Sequence, residues 1–190
     1  MKLAALLTSF SVLCVFATSQ QPEMPKAYDD KDAYQIYSLL LPHQESYEFA
    51  KGTLVIQSDT VSPPKENARC MTPQAAAEFE EAVADFDREN LKPRSLQRLF
   101  QIEKPYELVT NESIRKLFKE GFWKSFYERY PNSGGYIVMS AVGFNPQRTQ
   151  AVVYMGSACG GLCGRWSLHL LEKVDGKWKS VPGFNCITVS

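Results

Sequence analysis

The 190-residue chain is short of histidine and of net charge: two histidines, and 21 basic against 21 acidic side chains. Phosphate binding needs a basic footprint, so the charge balance argues against a nucleic-acid partner and against an anionic membrane surface. His43 and His169 are the only imidazoles, which leaves little for a histidine metal site. A serine hydrolase elbow is missing, since Gly156-Ser157-Ala158 lacks the second glycine of G-x-S-x-G. There is no C-x-x-C opening a helix, the setting that lowers a thiol pKa for redox work. The chain also lacks an internal repeat and a low-complexity tract. Beyond the first residues, no apolar run is long enough for a membrane span.

The first residues read as an export signal. Lys2 supplies the charge, Leu3–Phe16 is almost wholly apolar, and Ala17-Thr18-Ser19 is a small-x-small cleavage site. Met1–Ser19 is therefore expected to be removed. Leu13, where a small residue should precede a lipidated cysteine, argues against a lipoprotein at Cys14. Gln20–Tyr28 carries two prolines and reads as a mobile leader. The rest, 29–190, suits one domain with a real core. The chain is expected in the periplasm or outside the cell, with no membrane span.

An exported chain with Cys70, Cys159, Cys163 and Cys186 left after cleavage favours disulfides. Three pairings are possible. The preferred one joins Cys159 to Cys163 across a glycine-rich loop and Cys70 to Cys186 across a long one. The long loop is worth about 4–5 kcal/mol in the chain-entropy model.

The last third is the richest in strand patterns. Ile137–Phe144 and Thr149–Met155 flank Asn145-Pro146-Gln147-Arg148, a turn, and predict a hairpin. Arg165–Lys173 follows the segment S-A-C-G-G-L-C-G. Val174-Asp175-Gly176-Lys177 is a second turn with an Asp-Gly signal. Trp178–Val181 and Asn185–Val189 complete an antiparallel meander of four to five strands. Ahead of it, Asp29–Leu41 reads as a helix stopped by Pro42. Thr72-Pro73 opens another, with Ala76, Phe79, Val83 and Phe86 on one face, running to about Asn90. Short strands are expected at Gly52–Ser58 and Tyr106–Val109, and a short helix or extended core segment near Leu96. A helix begins at Thr110 or Asn111, is interrupted at Gly121, and ends before Pro131. Helices first and strands last predict an α+β fold, the meander packed against helices of the first two thirds on one face.

The blocks S-A-V-G-F-N (140–145), T-Q-A-V-V-Y (149–154), C-G-G-L-C-G (159–164) and L-L-E-K-V-D-G-K-W-K (170–179) occur in order. With G-F-W-K-S-F-Y-E-R-Y-P-N-S (121–133) they resemble a family of exported bacterial proteins of unknown function. The resemblance covers 121–190. It implies a bacterial, exported origin and carries no activity, ligand or catalytic residue. Where members have a glycine and small or aromatic residues after the cysteine loop, this chain has Arg165-Trp166.

Two functional classes follow. One is a non-catalytic binding or accessory module for a protein or small-molecule ligand, with Trp123, Tyr127, Tyr130 and Trp166 as the exposed aromatic candidates. Phe122 and Phe126 are assigned to the core. The other is a thiol-based or hydrolytic enzyme using His169, Cys163 and the glycine-rich loop. Glu78, Glu80, Glu81, Asp85 and Asp87 read as a solvated helix face rather than as paired glycosidase carboxylates. No metal or cofactor is expected.

Overall fold

The computed structural model describes residues 25–63, 70–184 and 186–189. The export signal and the first part of the leader lie outside the described residues. The leader's last three residues do not match the expectation of mobility. Lys26–Tyr28 forms strand β1, parallel to β3, Arg94–Leu96, because Tyr28 is an anchor buried in the core.

The other elements are α1, Lys31–Leu40; a 3-10 turn, Leu41–His43; α2, Glu45–Phe49; β2, Leu54–Gln57; α3, Pro73–Glu78; α4, Glu80–Glu89; β4, Tyr106–Val109; and α5, Asn111–Arg129. Then come β5, Tyr136–Met139; β6, Gly143–Phe144; β7, Gln150–Gly160; β8, Cys163–Val174; β9, Lys177–Ser180; and β10, Cys186–Val189.

The fold is α+β, but its sheet is larger and more mixed than a four-to-five-strand meander. It has eight strands in the order β10-β8-β7-β5-β2-β4, with β6 also beside β7 and β9 beside β8. The C-terminal strands pair antiparallel. β2 enters from the first half of the chain and runs parallel to both β4 and β5. All four residues of β2, Leu-Val-Ile-Gln, are buried. Continuous burial, led by the apolar Leu54-Val55-Ile56 with the Gln57 amide donating to Asp59 O, marks a strand covered on both faces.

Helices accordingly cover both faces of the sheet, not one. Side chains alternate along a strand. On β7, Ala151, Val153 and Met155 pack with Ala33, Ile36, Tyr37 and Leu40 of α1. Val152 and Tyr154 point the other way, onto Phe79, Ala82 and Phe86. On that second side, α5 covers Val55 and Val109 with Ile114 and Phe126. The expected single helix from Thr72 divides at Phe79, whose φ and ψ of −106° and 19° leave the helical range while its ring stays buried. Thr72 and Thr110 cap their helices by accepting from Ala75 N and Ser113 N. Near Leu96 the segment is strand, not helix.

The expected strand 137–144 is broken. β5 pairs Met139 with Met155, whereas β6 pairs Gly143 with Val152, so one extra residue sits between them. This is a β-bulge. It turns Ala141 and Val142 both toward the α1 side. Gly143 then faces α4, and a Cβ there would run into the Phe86 backbone. The bulge's main chain is satisfied by side chains from both layers. Asn90 accepts from Ala141 N at 2.8 Å and donates to Ala141 O at 3.1 Å. Tyr37 donates its hydroxyl to Ser140 O at 2.6 Å, and Val142 N donates to the Tyr28 hydroxyl at 3.0 Å.

A second knot ties α1 to the strand ends. Asp32 accepts from Arg148 Nε at 3.0 Å and Lys173 Nζ at 2.9 Å, with Trp178 Nε1 at 3.4 Å. Burial opposes its charged form, but these three donors outweigh burial and hold the carboxyl below its ordinary range. Asp85, expected on a solvated face, also reaches inward and accepts from Phe144 N at 2.8 Å.

Asn90→Ala orphans the Ala141 N–H, while Ala141 O keeps the Ser140 hydroxyl as a donor at 2.8 Å. It is expected to lower unfolding free energy by about 2–3 kcal/mol in chemical denaturation, whereas an asparagine-to-alanine change at an exposed position costs far less. Asp32 is depressed in the folded state, so its contribution is complete above the ordinary value of 3.8 and is lost as pH falls through the lower folded value. A denaturation series in acid is therefore expected to show a shallower loss for Asp32→Asn than for the parent, from a lower starting stability.

Candidate functional site

Both preferred disulfides are present. Cys70 and Cys186 are bonded with Cα atoms 5.6 Å apart, Cys159 and Cys163 with Cα atoms 5.1 Å apart. The second closes the tip of the β7–β8 hairpin, because both strands run on into the glycine segment. Leu162 projects from that tip, 92% exposed. The Cys163 sulfur is thus engaged in a bond and is not available as a thiolate nucleophile.

His169 lies on β8, opposite Val153 on the α1 side of the sheet. Its Nε2 is 2.7 Å from Ser167 Oγ. The sequence reading paired His169 with Cys163; the two-residue strand period pairs it with Ser167 instead. Burial, with the positive Arg165 and then His43 nearby, pushes the His169 pKa down to about 4. The imidazole is neutral at neutral pH. No carboxylate hydrogen-bonds it among the described residues, so nothing orients it as the third member of a triad does. Among the described residues no group of three histidine, cysteine, aspartate or glutamate side chains is placed to hold a metal ion.

The aromatic candidates do not form one surface. Trp123, Tyr127 and Tyr130 belong to the α5 cluster around the fully buried Phe126. Trp123 stacks on Tyr127 at 5.7 Å and on Tyr136 at 5.9 Å. Tyr127 donates its hydroxyl to Cys159 O at 2.8 Å, bracing the hairpin tip against α5. Trp166 sits on β8 with the α4 cluster, its ring over Gly156. Phe122, assigned to the core with Phe126, is instead 55% exposed. The helix breaks at Gly121 and Phe122, and Phe122 takes φ +57°. A β-unbranched aromatic in that left-handed region is uncommon. The break throws its ring outward while Phe126 turns in.

A groove that the residue patterns did not suggest lies between α5 and β4, the end strand of the sheet. A hollow of about 360 Å³ is lined by Glu107, Val109, Ser113, Lys116, Leu117 and Tyr130 among others. A second, of about 210 Å³, shares Glu107, Arg129 and Tyr130 and continues to Gly52 and Asn132. Arg129 stands 3.8 Å from the Glu107 carboxylate and 4.8 Å over the Tyr130 ring. Tyr130 is the one sequence candidate that borders this groove. The rest of it depends on β4 being an edge, which is a fact of topology.

No family model, no curated protein and no solved structure matches this chain. No helix among the described residues is long and apolar enough to cross a membrane.

His169 bears on stability through its proton. Its pKa is lowered from 6.5 to about 4 in the folded state, so its contribution is complete above about pH 6.5 and is lost as pH falls toward 4. His169→Gln is expected to flatten the decline in melting temperature across that window, with little change at pH 8.

Proposed function

We propose that this protein is an exported, disulfide-clamped binding module without chemistry of its own, acting in the periplasm or outside the cell. The observation that carries the reading is the α5–β4 groove, an open, partly apolar recess with charged rims. The state of the former catalytic candidates supports it. Cys163 is bonded to Cys159, and His169 has a serine partner without a carboxylate behind it. Two disulfides suit an oxidising compartment. The family resemblance of 121–190 points the same way, to an exported bacterial protein.

A hydrolase is the competing reading, and one observation favours it. The 2.7 Å contact between Ser167 Oγ and His169 Nε2 is within nucleophile–base distance. Ser167, however, is buried, so a substrate carbonyl has no evident approach to its hydroxyl.

The two readings separate in a single experiment. The disulfide-intact protein is assayed against nitrophenyl esters, a casein substrate and an insulin-reduction mixture, beside His169→Ala, Ser167→Ala and the double Cys159→Ser/Cys163→Ser variant. The binding-module reading expects no turnover above the buffer rate in any of them. Hydrolysis by the parent that drops a hundredfold or more in both Ser167→Ala and His169→Ala would establish the hydrolase instead.

A further inference from the structure

Resting on the binding-module reading, we propose that the free edge of β4 takes an extended, acidic peptide as an added strand, with α5 as the wall of the groove. β4 has a neighbour on one side only among the described residues. Toward β2 it uses alternate residues: Leu54 N donates to Pro105 O at 2.9 Å and Ser58 N to Val109 O at 2.8 Å. In a parallel ladder this spacing puts the main chain of Pro105, Glu107 and Val109 toward β2. The N–H and C=O groups of Tyr106 and Leu108 therefore face outward. Such a row is completed by another extended backbone, the mode of strand addition.

The edge carries few of the devices that block pairing. Tyr106-Glu107-Leu108-Val109 holds no lysine, no proline and no bulge, and pairs with β2 in unbroken register. Three of its four side chains are committed to the two layers beneath. Val109 packs with α5, while Tyr106 and Leu108 pack on the α1 core. The outward surface is thus largely main chain, and α5 stands beside it across the 360 Å³ hollow.

Charge selects the occupant. Glu107 and Glu120 are neutralised by Arg129 at 3.8 Å and Lys116 at 3.9 Å. Next along α5, a hollow of about 470 Å³ sharing Lys116 is lined by Arg115 and Lys119, against one carboxylate, Glu112. Arg115 and Lys119 form no ion pair among the described residues. At the start of β4, Arg98 lies 5.6 Å from the Tyr106 ring centroid. One cation thus stands at the start of β4 and others line the α5 hollow that shares Lys116 with the groove, and their excess complements a peptide with carboxylates at its exposed positions. β4 is four residues long, so a matching segment spans roughly 13 Å at about 3.3 Å per residue.

The test uses the full disulfide-bonded protein and a capped hexapeptide of alternating valine and aspartate, with binding measured by calorimetry. Three comparison ligands are its lysine-for-aspartate analogue, a copy N-methylated on the alternate amides that would face β4, and a scrambled acidic peptide containing proline. The acidic strand is expected to bind, and N-methylation to weaken it about tenfold or more. Leu108→Pro removes an outward N–H that β2 does not use, a place where an edge strand tolerates proline, and is expected to weaken binding similarly. Lys119→Glu with Arg115→Glu, both exposed, keeps the fold and is expected to weaken the acidic peptide and favour the lysine analogue. Equal binding of the N-methylated or lysine peptide overturns the proposal. So does a concentration-dependent dimer abolished by Leu108→Pro, which would place a second copy on the edge. Failure of every peptide, with a ligand found elsewhere on the protein, sinks strand addition alone. Turnover dependent on Ser167 and His169 would sink the binding-module reading itself.

Discussion

The bulge between β5 and β6 is where the layers of this protein are joined. A bulge leaves main-chain groups outside the ladder, and burying them without partners is costly. Here the Asn90 side chain from the end of α4 takes both polar groups of Ala141, while Tyr37 and Tyr28 take Ser140 O and Val142 N from the other side. Three side chains, two from the β1–α1 stretch and one from the end of α4, thus meet one short irregularity. Each of these residues is buried, so each bond forms away from competing water. The sheet cannot shift relative to either helical layer without breaking one of them.

The same bulge sets the packing that follows. By turning Ala141 and Val142 to one face, it presents Gly143 to α4 and Phe144 to the α1 side. Phe144 then packs on Trp178 with ring centroids 5.6 Å apart, and Arg148 lies 3.9 Å from the Phe144 ring centroid. Arg148 also reaches Asp30 and Asp32 at the start of α1. The ion cluster around Asp32 is a consequence of where the bulge sends the chain. At the opposite end of β7, the disulfide at the hairpin tip and the Tyr127 bond to Cys159 O hold α5 against the sheet. The groove beside β4 therefore has a wall fixed at both ends of its supporting layer: Tyr127 at the tip, and the Thr110 cap at the start of α5.

Local chemistry was readable residue by residue. Thr72-Pro73 announced a helix start, Pro42 and Pro131 announced stops, and Asp175-Gly176 announced a reversal, since each residue type has few backbone conformations open to it. Phe122 departs from the core stripe that its neighbours Trp123 and Phe126 suggest, because the break at Gly121 changes the phase by an amount that apolar spacing does not encode. A spacing of two puts Ser167 on the same side of β8 as His169, but spacing alone does not assign it the 2.7 Å contact with the imidazole. The glycine loop drew the histidine toward Cys163 in the sequence reading, whereas the hairpin keeps the tip and the imidazole well apart along β8. Trp166, a candidate for an exposed aromatic, packs against the α4 cluster, away from the α5 aromatics, because of its place in the alternation of β8.

By itself the sequence determined most helix starts and stops, the hairpin turns, the α+β class and the chemical character of each segment, because capping, turn formation and alternation act over a few residues. It also contained the apolar run Leu54-Val55-Ile56, the mark of a strand covered on both sides. Only the tertiary structure decided that β2 and β4 join the C-terminal strands in parallel, that helices lie on both faces, and that β4 is left as an edge beside α5. Those outcomes turn on which strand finds which neighbour. Main-chain hydrogen bonding is the same for every residue but proline, so strand order is chosen by the packing of the whole chain.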